Sequence, residues 1–205
     1  GIIMTVKITK PEINVREKLS ELDYGVIPFE KMPNGSVIQV VQNLYTSTAT
    51  IAVGVVNDTG YGMGGWFYTN VYCTINPRLA GSKIILNSTI NFASSNHGER
   101  ISFKLIRETA SGGIEPITGM PAINGNRRMC LASSLYINSG SDEHMNEVSM
   151  QSYDIPNTTE PVTYKLYVNQ NAAGISFLVN KPDNNGNAYY IPCAISSVQA
   201  TETKA

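Results

Sequence analysis

From Lys83 to Phe92 the chain alternates. Ile84, Leu86, Ile90 and Phe92 fall on one face of an extended strand, and Asn87, Thr89 and Asn91 fall on the other. A period of two predicts a half-buried antiparallel strand. The same period returns in Ile101, Phe103 and Leu105 against Ser102 and Lys104, and in Tyr164, Leu166 and Val168 against Thr163, Lys165 and Asn169. Along the whole chain the pattern predicts strands at 37–45, 48–56, 66–75, 83–93, 100–108, 128–138, 143–153, 162–169, 175–180 and 189–200. Between them lie turn signals such as Asn96-His97-Gly98, Ser111-Gly112-Gly113, Asn124-Gly125, Ser139-Gly140 and Pro182-Asp183-Asn184-Asn185-Gly186. Many short strands closed by such turns predict an all-β fold, an antiparallel β-sandwich of jelly-roll type. Another Greek-key sandwich is the alternative, because strand order is not written in the periodicity.

Residues 1–33 follow a different rule. An extended opening, Thr5 to Pro11, leads to Asn14-Val15-Arg16-Glu17, a capping box in which each side chain can satisfy the other residue's backbone amide. A short helix over about 15–24 is predicted, with Val15, Leu19 and Leu22 on one stripe and Arg16, Glu17, Lys18 and Glu21 left polar. A helix this short is marginal in water, so the stripe needs a docking surface. Gly25, Pro28 and Pro33-Asn34-Gly35 end it, which divides the chain into an N-terminal arm, 1–33, and a β domain, 34–205.

Composition narrows the function classes. With 205 residues, 42% hydrophobic, the chain is long enough for one substantial core. Its 15 Lys plus Arg stand against 16 Asp plus Glu, without the basic cluster that nucleic-acid binding requires. Arg127-Arg128 is a doublet at a strand start. No apolar run reaches the roughly 20 residues of a membrane span, so no membrane insertion is expected. Cys73, Cys130 and Cys193 are odd in number and form no CxxC, which argues against a disulfide scaffold and a zinc site. They read as small buried hydrophobes of a protein folded in a reducing cytoplasm.

Candidate chemistry is thin. Asp58-Thr59-Gly60 is the tripeptide of aspartic proteases, but those enzymes need two such aspartates sharing a proton, and here it reads as a strand exit. The two histidines, His97 and His144, give little support for a catalytic triad, although His144 has Asp142, Glu143 and Glu147 nearby in sequence. Neither Cys73 nor Cys130 has a histidine at a catalytic spacing. No enzyme activity, metal or cofactor is therefore expected. The stretch Gly60 to Tyr68 is more informative, because its glycines would expose aromatic faces in a loop. The alternative is a hairpin whose Trp66 starts a core strand.

Three stretches, 75–86, 101–107 and 163–168, resemble the repeating strand motifs of virion structural proteins from tailed bacteriophages, and Lys7 to Leu19 resembles the leader of phage tail-fibre and virion appendage proteins. The resemblance implies a jelly-roll head domain similar to the tumour-necrosis-factor and C1q fold, a homotrimer, and an arm that fixes it to other virion proteins. The 60–65 loop and the 112–126 excursion depart from that pattern. The function expected from it is a non-enzymatic tail-fibre or appendage protein of the virion, made in the host cytoplasm, that contacts a host glycan or protein. A capsid decoration or head-fibre protein is the alternative, and a glycan-binding or depolymerising tailspike domain comes third. Tyr61, Met63, Trp66, His97 and Asn184 are the candidate recognition residues, and Val15, Leu19 and Leu22 are the candidate oligomer or attachment contacts.

Overall fold

The computed structural model describes residues 28–53, 65–96, 98–111, 113–122, 128–136, 143–170, 174–184, 186, 188–189 and 191–205. The capping box, the 15–24 helix and the Asp58 tripeptide lie outside them. Eleven strands are described: β1 Val37–Tyr45, β2 Ala49–Val53, β3 Phe67–Ile75, β4 Lys83–Ser94, β5 Glu99–Thr109, β6 Ile114–Pro116, β7 Ala132–Tyr136, β8 Asn146–Asp154, β9 Val162–Gln170, β10 Ile175–Val179 and β11 Ser196–Thr203. A 3-10 turn at Phe29–Lys31 precedes β1. All pairings are antiparallel.

Several strands are interrupted versions of longer ones. β1 pairs with β11 up to Tyr45↔Ser196, and β2 pairs with β10 from Ala49↔Val179, so both partners break at the same level. β10 and β11 also lie in line along β4, at Val179↔Phe92 and Ser197↔Thr89. On the opposite sheet β6 and β7 share one side of β5, with Ile106↔Pro116 and Phe103↔Ala132. If each interrupted strand is counted once, one sheet runs first, last, third, sixth (β1/β2, β10/β11, β4, β8). The other runs second, seventh, fourth, fifth (β3, β9, β5, β6/β7). That is the order of a jelly roll, in which a long hairpin is wrapped into two facing sheets.

The core lies between the sheets, where the period of two sends every second side chain. Ile84, Leu86, Ile90 and Phe92 of β4 are all fully buried, as their alternation predicts. Phe92 stacks on Phe177 of its own sheet at 5.4 Å and meets Phe103 of the opposite sheet at 5.1 Å, with Tyr136 at 6.4 Å. Each such ring, fully buried, stabilises the fold by about 1.5–3 kcal/mol, and the ring pairs add to that.

The registers also give the sandwich two distinct ends. At one end β1 begins, β11 finishes, and the 76–82 and 155–161 connections cross between the sheets. There Lys204 donates its ammonium to the backbone oxygens of Glu30 (2.5 Å) and Met32 (2.6 Å), which ties the segment before β1 to the residue that follows β11. At the other end lie Val53 and Ile175, Ser94, Tyr136 and Glu99, Asn146, and Phe67 and Gln170.

Three expectations need correction. The strand expected over 189–200 starts only at Ser196, whose hydroxyl is held by Asn180 just after β10. The strand expected over 128–138 is described only at Ala132–Tyr136, while the short β6 was not anticipated. The cysteines are not uniformly buried: Cys73 is buried, Cys130 partly so, and Cys193 is exposed. Burial raises the thiol pKa of both Cys73 and Cys130, which makes them poor nucleophiles.

Candidate functional site

Of the recognition residues expected from sequence, the structure describes Trp66 and Asn184. Tyr61, Met63 and His97 lie outside the described residues, as do Val15, Leu19 and Leu22. The described ends of the connections that carry Tyr61, Met63 and His97 are Val53 and Gly65, and Asn96 and Gly98. Asn184 is exposed, in the excursion between β10 and β11, and its amide reaches the carboxylate of Glu143 at 3.5 Å.

Trp66 is not a surface residue. It is 5% exposed, and the ammonium of Lys104 sits 4.1 Å from its ring centroid. Lys104, which alternation places on the solvent side of β5, is itself 2% exposed. This half of the outer face is covered, and the pair lies where a cation over an indole is worth about 2 kcal/mol. Beside it Asn169 donates to the oxygen of Gly65 at 2.7 Å.

The other half of that outer face is open. Between Tyr68 and Tyr72 the register of β3 on β9 shifts, so that residues 69–71 stand opposite Leu166 alone. Asn70 takes a positive φ of 68° in this bulge, and the Thr69 hydroxyl donates to the Leu166 oxygen at 2.8 Å. Because the insertion is even, Tyr68 and Tyr72 stay on the same outer face. They border a groove of about 470 Å³ whose walls include Thr74, Glu108, Thr163 and Lys165. Tyr68 and Tyr167 lie 5.7 Å apart, and the Lys165 ammonium pairs with Glu108 while standing 5.3 Å from the Tyr68 ring. The Thr74 and Thr163 hydroxyls are hydrogen-bonded at 2.9 Å. Burial, then the neighbouring Tyr72, Tyr167 and Glu108, pushes the Tyr68 phenol well above its ordinary range, so it remains a neutral donor. Sequence reasoning missed this groove, because the bulge that aligns its tyrosines has no turn signal beyond Asn70.

Among the described residues, two fully buried carboxylates serve the fold. Asp154 accepts from Arg107, from the amide and hydroxyl of Thr118, both at 2.9 Å, and from Tyr164 at 3.1 Å. Glu202 accepts from the amides of Arg78 (2.8 Å) and Leu79 (3.0 Å) and from Gln39, so it organises the 76–82 turn. Among the described residues no group of three or more His, Cys, Asp and Glu is placed to hold a metal ion. No helix among them is long and apolar enough to cross a membrane.

No protein-family model matches the chain, and no curated protein matches it. Solved structures that resemble it include infectious bursal disease virus, Gt strain, at 12% identity and a TM-score of 0.43, over 88% of this chain and 42% of that one. The VP2 subviral particle of the same virus matches at 15% identity and 0.35, over 80% and 38%. The CBM22-1 xylan-binding domain from Paenibacillus barcinonensis Xyn10C matches at 10% identity and 0.30, over 85% of this chain and 99% of that one. This chain spans less than half the length of the viral chains it matches.

Proposed function

We propose that this chain is a non-enzymatic virion structural protein, a homotrimeric tail-fibre or appendage protein whose β domain meets the host surface. The observation that carries the reading is the opposition of the two ends. Pro28, where the described chain begins, and Lys204 lie at one end, and the connections bearing Tyr61, Met63 and His97 start and finish at the other. The twelve residues of β4 separate the two by about 36 Å at roughly 3.3 Å per residue. An appendage needs that separation, with attachment to other virion proteins through the 1–33 arm at the base and a host glycan or protein at the tip.

Further support comes from the resemblance of the strand motifs and leader to phage virion proteins, and from the commitment of Asp154 and Glu202 to structure rather than catalysis. In a homotrimer similar to the tumour-necrosis-factor and C1q proteins, three weak tip sites would act together and gain avidity without a deep pocket. Val15, Leu19 and Leu22 would supply the trimer or attachment contact. The protein would be made in the host cytoplasm and built into the virion.

Imaging of the particle tests location, symmetry and orientation at once. Trimeric density at the tail, with the far end outward, is expected. Density over capsid three-fold positions would instead assign the chain as a decoration protein, and hydrolysis of host polysaccharide by the purified chain would overturn the non-enzymatic reading.

A further inference from the structure

We propose that the open groove on the outer face of the β3–β9–β5 sheet is a binding site for a neutral, hydroxyl-rich saccharide chain. This inference is independent of the virion reading and concerns the flank of the domain rather than its tip. A sugar ring offers a C–H face and a rim of hydroxyls, so its site needs flat aromatic surface bordered by both donors and acceptors. The groove supplies both. Tyr72 is 41% exposed, and Tyr68, held on the same face by the even bulge, gives a second ring. Lys165 donates, Glu108 accepts, and the Thr74 and Thr163 hydroxyls do either.

Charge and shape select among ligands. The ammonium of Lys165 and the carboxylate of Glu108 neutralise each other, so no net field is left to hold a polyanion or a polycation. The groove is also open along its length, which suits a chain rather than a small enclosed ligand. A second depression of about 300 Å³ shares Thr109 and Ala110 with it and continues past Thr158 and Glu160 around the base end. A proline-rich peptide is the competing occupant of an aromatic groove. The saccharide is favoured because the polar groups beside the rings form two pairs, Thr74 with Thr163 and Lys165 with Glu108, more than the few donors that a polyproline ligand engages.

Calorimetric titration of the whole chain with cellohexaose, mannohexaose and maltohexaose, and with a proline-rich decapeptide, tests the proposal. At least one hexasaccharide should bind with a dissociation constant at or below about 1 mM. Loss of a stacked ring in Tyr72→Ala should weaken that binding about ten-fold, while Tyr72→Phe stays within about three-fold. Thr163→Val, which keeps the branched shape of the strand residue, should weaken it independently. Binding of no hexasaccharide, binding of the peptide alone, or unchanged binding by folded Tyr72→Ala and Thr163→Val would each overturn the proposal.

Discussion

Arg107 of β5 reaches across the sandwich to Asp154 of β8, and its Nη1 donates to both carboxylate oxygens, at 3.1 and 3.0 Å. Each sheet is thereby tied to the other by a charge pair beside the hydrophobic core, its carboxylate fully buried and its guanidinium partly so. Removing one partner of such a pair strands the other without compensation, at a cost of about 3–5 kcal/mol. Asp154→Ala should therefore fall near the low end of that range, because Glu115 still faces the guanidinium from the solvent side. Urea unfolding measures this, and a loss under about 1 kcal/mol would mean that the pair contributes little.

Alkaline pH should weaken the fold through Tyr164. Burial, and then the charge and hydrogen bond of Asp154, hold its phenol far above the ordinary range, with Arg107 opposing. Below about pH 10 the phenol is protonated in both states, so stability is intact. Above it the unfolded chain releases the proton and the folded chain does not. Stability then falls by about 1.4 kcal/mol per pH unit for this group. Unfolding midpoints between pH 8 and 11 should show a steeper decline for the parent chain than for Tyr164→Phe; parallel curves would refute the assignment.

Gly119 packs against the end of β8 with no room for a side chain. Its amide donates to the Tyr153 oxygen at 2.9 Å, its own oxygen accepts from the Ser152 hydroxyl at 3.0 Å, and an added Cβ would run into both residues. Gly119→Ala should cost about 1–3 kcal/mol by overpacking. A thermal midpoint equal to that of the parent chain would show that the connection can shift aside.

Asn180 holds the two interrupted strands of the first sheet at their common break. Its amide donates to the oxygens of Tyr45 (2.6 Å) and Ser47 (2.9 Å), its Oδ1 accepts from Ser196 at 2.6 Å, and its backbone has a φ of 58°. Asn180→Ala loses all three bonds and places an unsuitable residue in the left-handed region, so a cost of about 2–4 kcal/mol is expected. Asn180→Gly, which relieves the backbone while losing the same bonds, should recover part of it. Equal stability of the two variants would show that the backbone conformation contributes nothing.

Much of the sandwich is legible in the sequence because burial on one face imposes a period of two. β1 and β4 show it most plainly, in the bounds of the first and in the inward Ile84, Leu86, Ile90 and Phe92 of the second. What fails is whatever tertiary contact decides. Lys104 alternates outward yet is buried, because Trp66, just before β3, covers it from across β9. Tyr189 to Ile195 read as strand from their apolar content, but the pairing there belongs to Ser196 onward, after Asn180 has diverted the chain. The groove was invisible for the same kind of reason. Tyr68, Tyr72, Glu108 and Lys165 come from three strands, and only the register across β3, β9 and β5 brings them to one place.

The contact of Lys204 with the segment before β1 also sets how the molecule bears load. Tension between the base and the far end runs along β1 and β11, so their hydrogen bonds are sheared together. Tension between residue 28 and residue 204 instead peels the same two strands apart one bond at a time, from Val37↔Thr203 inward. Single-molecule pulling should therefore give a higher rupture force in the first geometry, and equal forces would mean that another element yields first. A domain anchored at its base and held at its tip would meet traction in its stronger direction.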